Sequence, residues 1–350
     1  MNKQFFTVVI PAYNCESTID SLLDSIAANA GDLIVIVVDD SDQEHDISDK
    51  VLKYPCELPI IYYKREDAYK IHCPGNTRHS GLQRALLEDT QYILFVDCDD
   101  ELYGDRLPKL KDTLIENGMP DVVCTRFDVF DPNGNFVRRE PVSLGWLHGK
   151  LWRKDFLMRH TIQFKRDMLT HEDLYFNSLV NYYQIVDGTT PANATDDLIF
   201  YKWHQREDSF THKDYDGIEE IYIQKYFDEY VYADIDIYMD RALVDGIDDP
   251  DIGGKLAIRC AHSIYSAYCY FQAFQMRGKQ NRVRNAYIEL KKSIWKYYQT
   301  FGMGREDLIR IIYSDPKAAI NHRTLSYTIL GYYIEQESFK DFINGMRFYE

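Results

Sequence analysis

The sequence predicts an α/β fold, a mostly parallel central sheet followed by an α-helical C-terminal domain. Three observations lead there. Short, unbroken apolar runs recur in the first hundred residues, at 5–10, 33–38, 60–63 and 92–96. Stretches of helical periodicity separate them. Beyond residue 254 the helical period continues to the end of the chain.

Each element has its own reason. Strands of a parallel sheet are buried on both faces and so read as continuous apolar runs rather than alternating ones. The helix expected over 18–28 puts Ile19, Leu22, Leu23 and Ile26 on one face. The helix expected over 77–88 does so with Leu82, Ala85 and Leu86, and Thr77 is placed to cap it. Strands alternating with helices at this spacing are βαβ units. From Asp121 the texture changes. A strand over 122–129, the turn Asp131-Pro132-Asn133-Gly134-Asn135 and a strand over 136–138 read as a hairpin. A helix over 172–183 and a strand over 198–203 follow. Residues 218–238 are rich in tyrosine and acid, and 245–254 read as a loop by composition. Helices are then expected over 256–275, 282–300, 305–313 and 325–335, with a short one at the end. The domains expected are 1–214, split near residue 100, a connection over 215–254, and 255–350.

Composition narrows the function. The chain has 350 residues, 45% hydrophobic and 27% charged, as in a folded water-soluble protein. Its net charge of −16 makes general nucleic-acid binding unfavourable, because phosphate contacts need a basic face. Residues 255–347 carry 15 Lys+Arg against 7 Asp+Glu, a local excess of positive charge that sets the C-terminal helices apart. Their basic stripe suits a peripheral membrane contact, and their tyrosines suit a core or a homo-oligomer interface. Seven scattered cysteines without a CxxC pair point to reduced thiols. The start shows no leader-like segment and no apolar run approaches bilayer length, so a cytoplasmic protein is expected.

In parallel α/β sheets ligands bind beyond the carboxyl ends of the strands. There the first strand ends in Pro11-Ala12-Tyr13-Asn14, the second in Asp39-Asp40-Ser41 and the fourth in Asp97-Cys98-Asp99-Asp100. Five acids converging on one rim repel one another, and a divalent cation such as Mg²⁺ or Mn²⁺ removes that cost. Asp39, Asp40 and Asp100 also suit helix capping.

VVIPAYN (8–14), VVDDSD (37–42), PGNTRHSGL (74–82) and YILFVDCDD (92–100) resemble the four successive signatures of the family 2 inverting glycosyltransferases. GKLWRKDFL (149–157), HEDLYF (171–176) and YKWHQREDSFT (201–211) resemble its later motifs, so the likeness spans about residues 5–212 in order. The resemblance implies a GT-A, Rossmann-like catalytic domain, a nucleotide-sugar donor and a glycan or other hydroxyl acceptor. It implies that Pro11, Ala12, Tyr13 and Asn14 form the nucleotide turn. Asp40, with Asp39 beside it, reads a uracil edge, and Asn76 and Arg78 lie against the ribose or diphosphate. Asp97 and Asp99 form the DxD pair, with Asp99 the direct Mn²⁺ or Mg²⁺ ligand and Asp97 a ribose contact or supporting ligand. Ser41 departs from the glycine usual after the paired acids.

The resemblance also places Asp173 as general base, with Glu172 as acceptor-binding partner or alternate base; an acidic first helical turn is the plain alternative. His204 lies where metal-dependent members hold the cation or diphosphate, though a lone histidine also serves packing. Arg206 and Ser209 match a flap over the phosphates. Trp146, His148, Lys150 and Trp152 border the acceptor side or pack the core. Processive synthases of the family carry a QxxRW-like motif and membrane helices; neither is present, which favours transfer of a single sugar. A sugar-nucleotide pyrophosphorylase would need a glycine-rich basic loop after the first strand, and PAYNCES is not one. A non-catalytic scaffold with the same fold and a transferase acting on nucleic acid are the remaining alternatives.

Overall fold

The computed structural model describes residues 4–27, 32–54, 58–65, 72–142, 145–193, 198–206, 220–276, 280–314 and 336–346. They divide into two compact units, residues 1–180 with 189–214, and residues 181–188 with 215–350.

In the first unit β1 (Phe6–Ala12), β2 (Leu33–Asp39), β3 (Ile60–Lys64) and β4 (Tyr92–Phe95) run parallel. Every residue of β2 and all but one of β1 is buried, as the continuous apolar runs require. With β6 (Val122–Cys124), β9 (Lys150–Arg153) and β10 (Ala192–Asn193) they form a seven-stranded sheet in the order β10-β6-β9-β4-β1-β2-β3. Within it β9 runs antiparallel to both of its neighbours. The helix α1 (Ile19–Ala27) buries the four apolar residues expected of it. After α2 (Ser48–Leu52), α3 (Pro74–Ala85) begins three residues before the expected start, because Pro74 is preorganised for the first helical turn. Thr77 therefore lies inside α3, its hydroxyl oxygen 3.2 Å from the Cys73 carbonyl.

The strand expected over 122–129 is two strands. β6 stays in the large sheet, and β7 (Phe127–Phe130) enters a second sheet, β5-β11-β7-β8, with β5 (Glu101–Leu102), β8 (Phe136–Glu140) and β11 (Tyr201–His204). The switch falls at Thr125, whose N–H donates to the Gly149 carbonyl at 2.7 Å. Gly149 has φ +67° and a Cβ there would lie 2.7 Å from the Thr125 carbonyl, so only glycine allows this approach. The β7–β8 hairpin forms as expected, with the Asp131 carboxylate accepting from the Asn133 and Asn135 N–H groups. Helices α4 (Leu107–Glu116), α5 (Lys154–Arg159) and the start of α6 (Glu172–Asp187) complete the unit.

The second unit is helical, with α7 (Glu220–Val231), a π-helical turn at 232–236, α8 (Ile237–Val244), α9 (Pro250–Met276), α10 (Gln280–Phe301), α11 (Arg305–Ser314) and α12 (Gln336–Asn344). The expected loop shortens to 245–249, because the Asp249 carboxylate accepts the Asp251 N–H at 2.8 Å and starts α9 at Pro250. Tyr265, Tyr268, Tyr270 and Tyr297 are buried, as core residues. The helix expected over 325–335, the C-terminal tyrosines Tyr332 and Tyr333, and Lys279 of the basic stripe lie outside the described residues. No described helix is long and apolar enough to cross a membrane.

Candidate active site

The carboxyl ends of β1, β2 and β4 open on a cleft of about 270 Å³. Pro11, Ala12 and Tyr13 line it from the first strand, Asp40 from the second, and Asp97, Cys98 and Asp99 from the fourth. His72 and the first turns of α3, through Thr77 and Arg78, close the side. Two hydrogen bonds join the first two strand exits. The Asp40 N–H donates to the Ala12 carbonyl at 2.8 Å, and the Asn14 N–H donates to the Ser41 hydroxyl at 2.8 Å. Asn14 itself sits at φ +47°. Serine in place of the usual glycine thus supplies a latch between the two turns.

The two aspartates at the end of β2, Asp39 and Asp40, divide their work. Asp39 is fully buried, accepting from the Ser41 N–H at 2.9 Å and from the Tyr62 hydroxyl at 2.8 Å, so it shapes the turn behind the cleft. Asp40 lines the cleft, held by Arg65 at 3.1 Å on one oxygen and by the Thr77 hydroxyl at 3.2 Å on the other. The His72 ring donates from Nδ1 to the Asp40 carbonyl at 2.7 Å and lies 5.3 Å from the exposed Tyr13 ring.

The acidic corner is organised by Arg78. Its guanidinium, almost buried, donates to Asp97 at 2.5 Å and to Glu172 at the start of α6. Burial opposes the charge on Asp97, but Arg78 and His148 outweigh it and hold the carboxyl well below its usual range. Burial and Asp97 raise Asp99, against the pull of Arg206, whose Nε lies 2.8 Å away. Asp100 is pushed well up by burial and by its two acidic neighbours; it accepts from the Tyr201 hydroxyl at 2.6 Å and the His204 N–H at 2.9 Å. Burial raises Glu172 to about 7 although Arg78 opposes it. Asp173 is likewise raised by burial against Arg78, His148 and Lys150, and its Oδ1 accepts the Leu174 N–H at 2.7 Å. Lys150, driven down to about 8 by burial, donates to Asn177, whose amide in turn donates to the Asp173 carbonyl.

Among the sequence-predicted site residues, Pro11, Ala12, Tyr13, Asp40, Arg78, Asp97 and Asp99 line the cleft together. Asn76 points elsewhere. Its amide exchanges two hydrogen bonds with Asp167, each 3.1 Å, and fastens the loop before α6. His204 is also set apart. Its ring stacks on Phe130 at 5.2 Å and faces Glu101 at 3.7 Å, and only its backbone reaches the acidic corner. The imidazole near Asp97 belongs instead to His148, 3.6 Å from the Asp97 carboxylate and held among Phe127, Tyr201 and Trp203. Ligand atoms of Asp97, Asp100 and His148 lie within 4.8 Å of one another. Two carboxylates and an imidazole at this spacing fit a divalent cation, and the Asp97 oxygen facing His148 is not the one bound by Arg78. Asp100 was legible as the third acid of DCDD, whereas the sequence set His148 on the acceptor side or in the core and not at the cation corner. Trp152 is fully buried core, and Ser209 lies outside the described residues.

Residues 7–180 match the family model described as "Glycosyl transferase family 2". Among solved structures, Staphylococcus aureus TarS 1–349 in complex with UDP-GlcNAc is similar at 18% identity, with a TM-score of 0.59, covering 99% of this chain and 93% of that one. TarS 1–349 on its own is similar at 20% identity, with a TM-score of 0.56, covering 95% and 93%. The sequence finds no match among curated proteins. With the seven ordered motifs and the acidic cleft at the strand ends, the match over 7–180 identifies the chain as a family 2 glycosyltransferase of GT-A fold.

Proposed function

We propose that the chain transfers a single sugar, with inversion, from a uridine diphosphate sugar to a hydroxyl of a glycan, glycolipid or other acceptor, and that it depends on a divalent cation. The observation that carries the reading is the division of labour in the acidic pair of α6. Glu172 is buried and committed to Arg78. Asp173 faces Lys150 and His148, and its carboxylate accepts the Leu174 N–H of its own helix. Asp173 takes the proton of the acceptor hydroxyl as that oxygen attacks the anomeric carbon. The bond from that carbon to the diphosphate oxygen breaks on the opposite side, and the nucleoside diphosphate leaves. Asp97, Asp100 and His148, whose ligand atoms cluster, are the residues to hold Mn²⁺ or Mg²⁺, with Asp99 as the second acid of the DxD pair; the ion would offset charge on the leaving diphosphate. The raised carboxyl of Asp173 suits a base working near neutral pH.

The uridine preference rests on Asp40, a clamped carboxylate lining the cleft and aligned with the acid that reads the base N–H in the family. The fold shared with TarS, solved with UDP-GlcNAc, supports the same class of donor. Calorimetric titration in Mn²⁺ tests it. Uridine diphosphate should bind more tightly than guanosine diphosphate, and Asp40→Ala should flatten the difference; equal affinities in the unmodified protein would overturn the donor assignment.

A further inference from the structure

We propose that Arg78 is a positioning residue, not a donor ligand: its guanidinium braces Asp97 of the cation corner against Glu172 of the acceptor-side pair, holding the two halves of the site in one geometry. The inference rests on the proposed function only for the roles of those two halves.

Three observations converge on it. First, the side chain of Arg78 is 10% exposed, and both arms of its fork are occupied, by Asp97 at 2.5 Å and by Glu172. A planar guanidinium shared between two carboxylates fixes both in angle as well as distance. Second, the charges do not favour a phosphate. Its positive charge is already opposed by the ionised Asp97 and shared with Glu172, so Arg78 has little surplus charge for a diphosphate. Third, α3 is fastened at the same place by its backbone and by a neighbouring side chain. A Cβ on Gly75 would lie 2.8 Å from the Lys165 carbonyl and 3.0 Å from that of Met168, and Asn76 exchanges its paired hydrogen bonds with Asp167. Gly75, Asn76 and Arg78 thus tie the first turns of α3 to the segment that ends in Glu172. The charged groups facing Glu172 are Arg78, Asp173 and Asp97. Those facing Asp173 include Arg78, His148 and Lys150. Arg78 is the cation common to both carboxylates, so its loss should make each harder to ionise.

The test compares Arg78→Gln and Arg78→Lys with the unmodified full chain. Carboxyl titration of ¹³C-labelled glutamate, assigned with Glu172→Gln, reads Glu172 directly, and calorimetry reads uridine diphosphate binding in Mn²⁺. In Arg78→Gln the Glu172 midpoint should rise by about one unit or more, Arg78→Lys should recover part of the rise, and nucleotide affinity, weakened only through the displaced Asp97, should fall by less than about tenfold. An unmoved midpoint with a tenfold or greater loss of affinity would make Arg78 a donor ligand and overturn the proposal. A moved midpoint in a protein that binds no nucleotide at all would sink the donor reading and leave the brace intact. If Arg78→Gln fails to fold, a double-mutant cycle of Arg78→Lys and Glu172→Gln in denaturant decides. Coupling of about fivefold or more in the unfolding constant supports the brace, and additivity overturns it.

Discussion

Replacing Asp173 with asparagine should separate chemistry from binding. Asparagine keeps an oxygen at Oδ1, so the 2.7 Å hydrogen bond from the Leu174 N–H survives and the start of α6 holds. The side chain does not line the cleft proposed for the nucleotide, so donor affinity in Mn²⁺ should stay near that of the unmodified protein. What disappears is basicity. General-base assistance is typically worth about 10²–10⁴ in rate, or about 3–5 kcal/mol of barrier. Asp173→Asn should therefore lower kcat by that factor with KM for the donor nearly unchanged. Glu172→Gln behaves differently. It removes a charged partner from the nearly buried Arg78, costing stability of about 1–3 kcal/mol, and should raise acceptor KM more than it lowers kcat. Initial rates with a saturating sugar donor, paired with calorimetry of uridine diphosphate, measure both. If Glu172→Gln abolishes turnover and Asp173→Asn does not, the roles are exchanged. If neither matters, the acidic pair only complements the helix dipole, and the base assignment is refuted.

Two further outcomes follow from the same corner. Asp99→Asn should collapse the gain in uridine diphosphate affinity that Mn²⁺ confers, measured by titrations with and without the cation; an undiminished gain removes Asp99 from the cation site. Stability should also depend on pH through Glu172. Its folded value of about 7 lies above the ordinary 4.5, so the folded state holds this proton more tightly than the unfolded one. The resulting stabilisation is complete below pH 4.5 and is lost as pH rises through about 7, at most about 3 kcal/mol. Denaturant titrations across that window should show Glu172→Gln with a flatter pH dependence than the unmodified chain; parallel curves contradict the raised value.

The central strands were legible because burial on both faces leaves a continuous apolar run that needs no partner to be recognised. The acids at their ends were legible because a parallel sheet delivers its carboxyl ends to one rim. What escaped depends on residues distant in sequence. The split at Thr125 requires Gly149, and no local pattern in 122–129 announces it. Asn76 sits in a nucleotide-binding motif, yet its amide is taken by Asp167, 91 residues away. Arg78 meets Glu172 across 94 residues, so its bridging position is a property of the fold. The exchange of His204 for His148 has the same origin: stacking on Phe130 turns one ring aside, and an aromatic surround presents the other to Asp97. Ser41 was visible as a departure, but its hydrogen bond to the Asn14 backbone emerged only once the two turns were brought together.

The account turns on inverting transfer from a uridine diphosphate sugar, and the configuration of the released sugar tests that most directly. A panel of α-linked uridine diphosphate sugars incubated with the protein and Mn²⁺, followed by proton NMR before mutarotation, reads the anomeric proton of the first product. The account predicts that one member is consumed and yields the β anomer, at a rate that falls by about 10²-fold or more in Asp173→Asn. An α product, or a rate indifferent to Asp173, would contradict it.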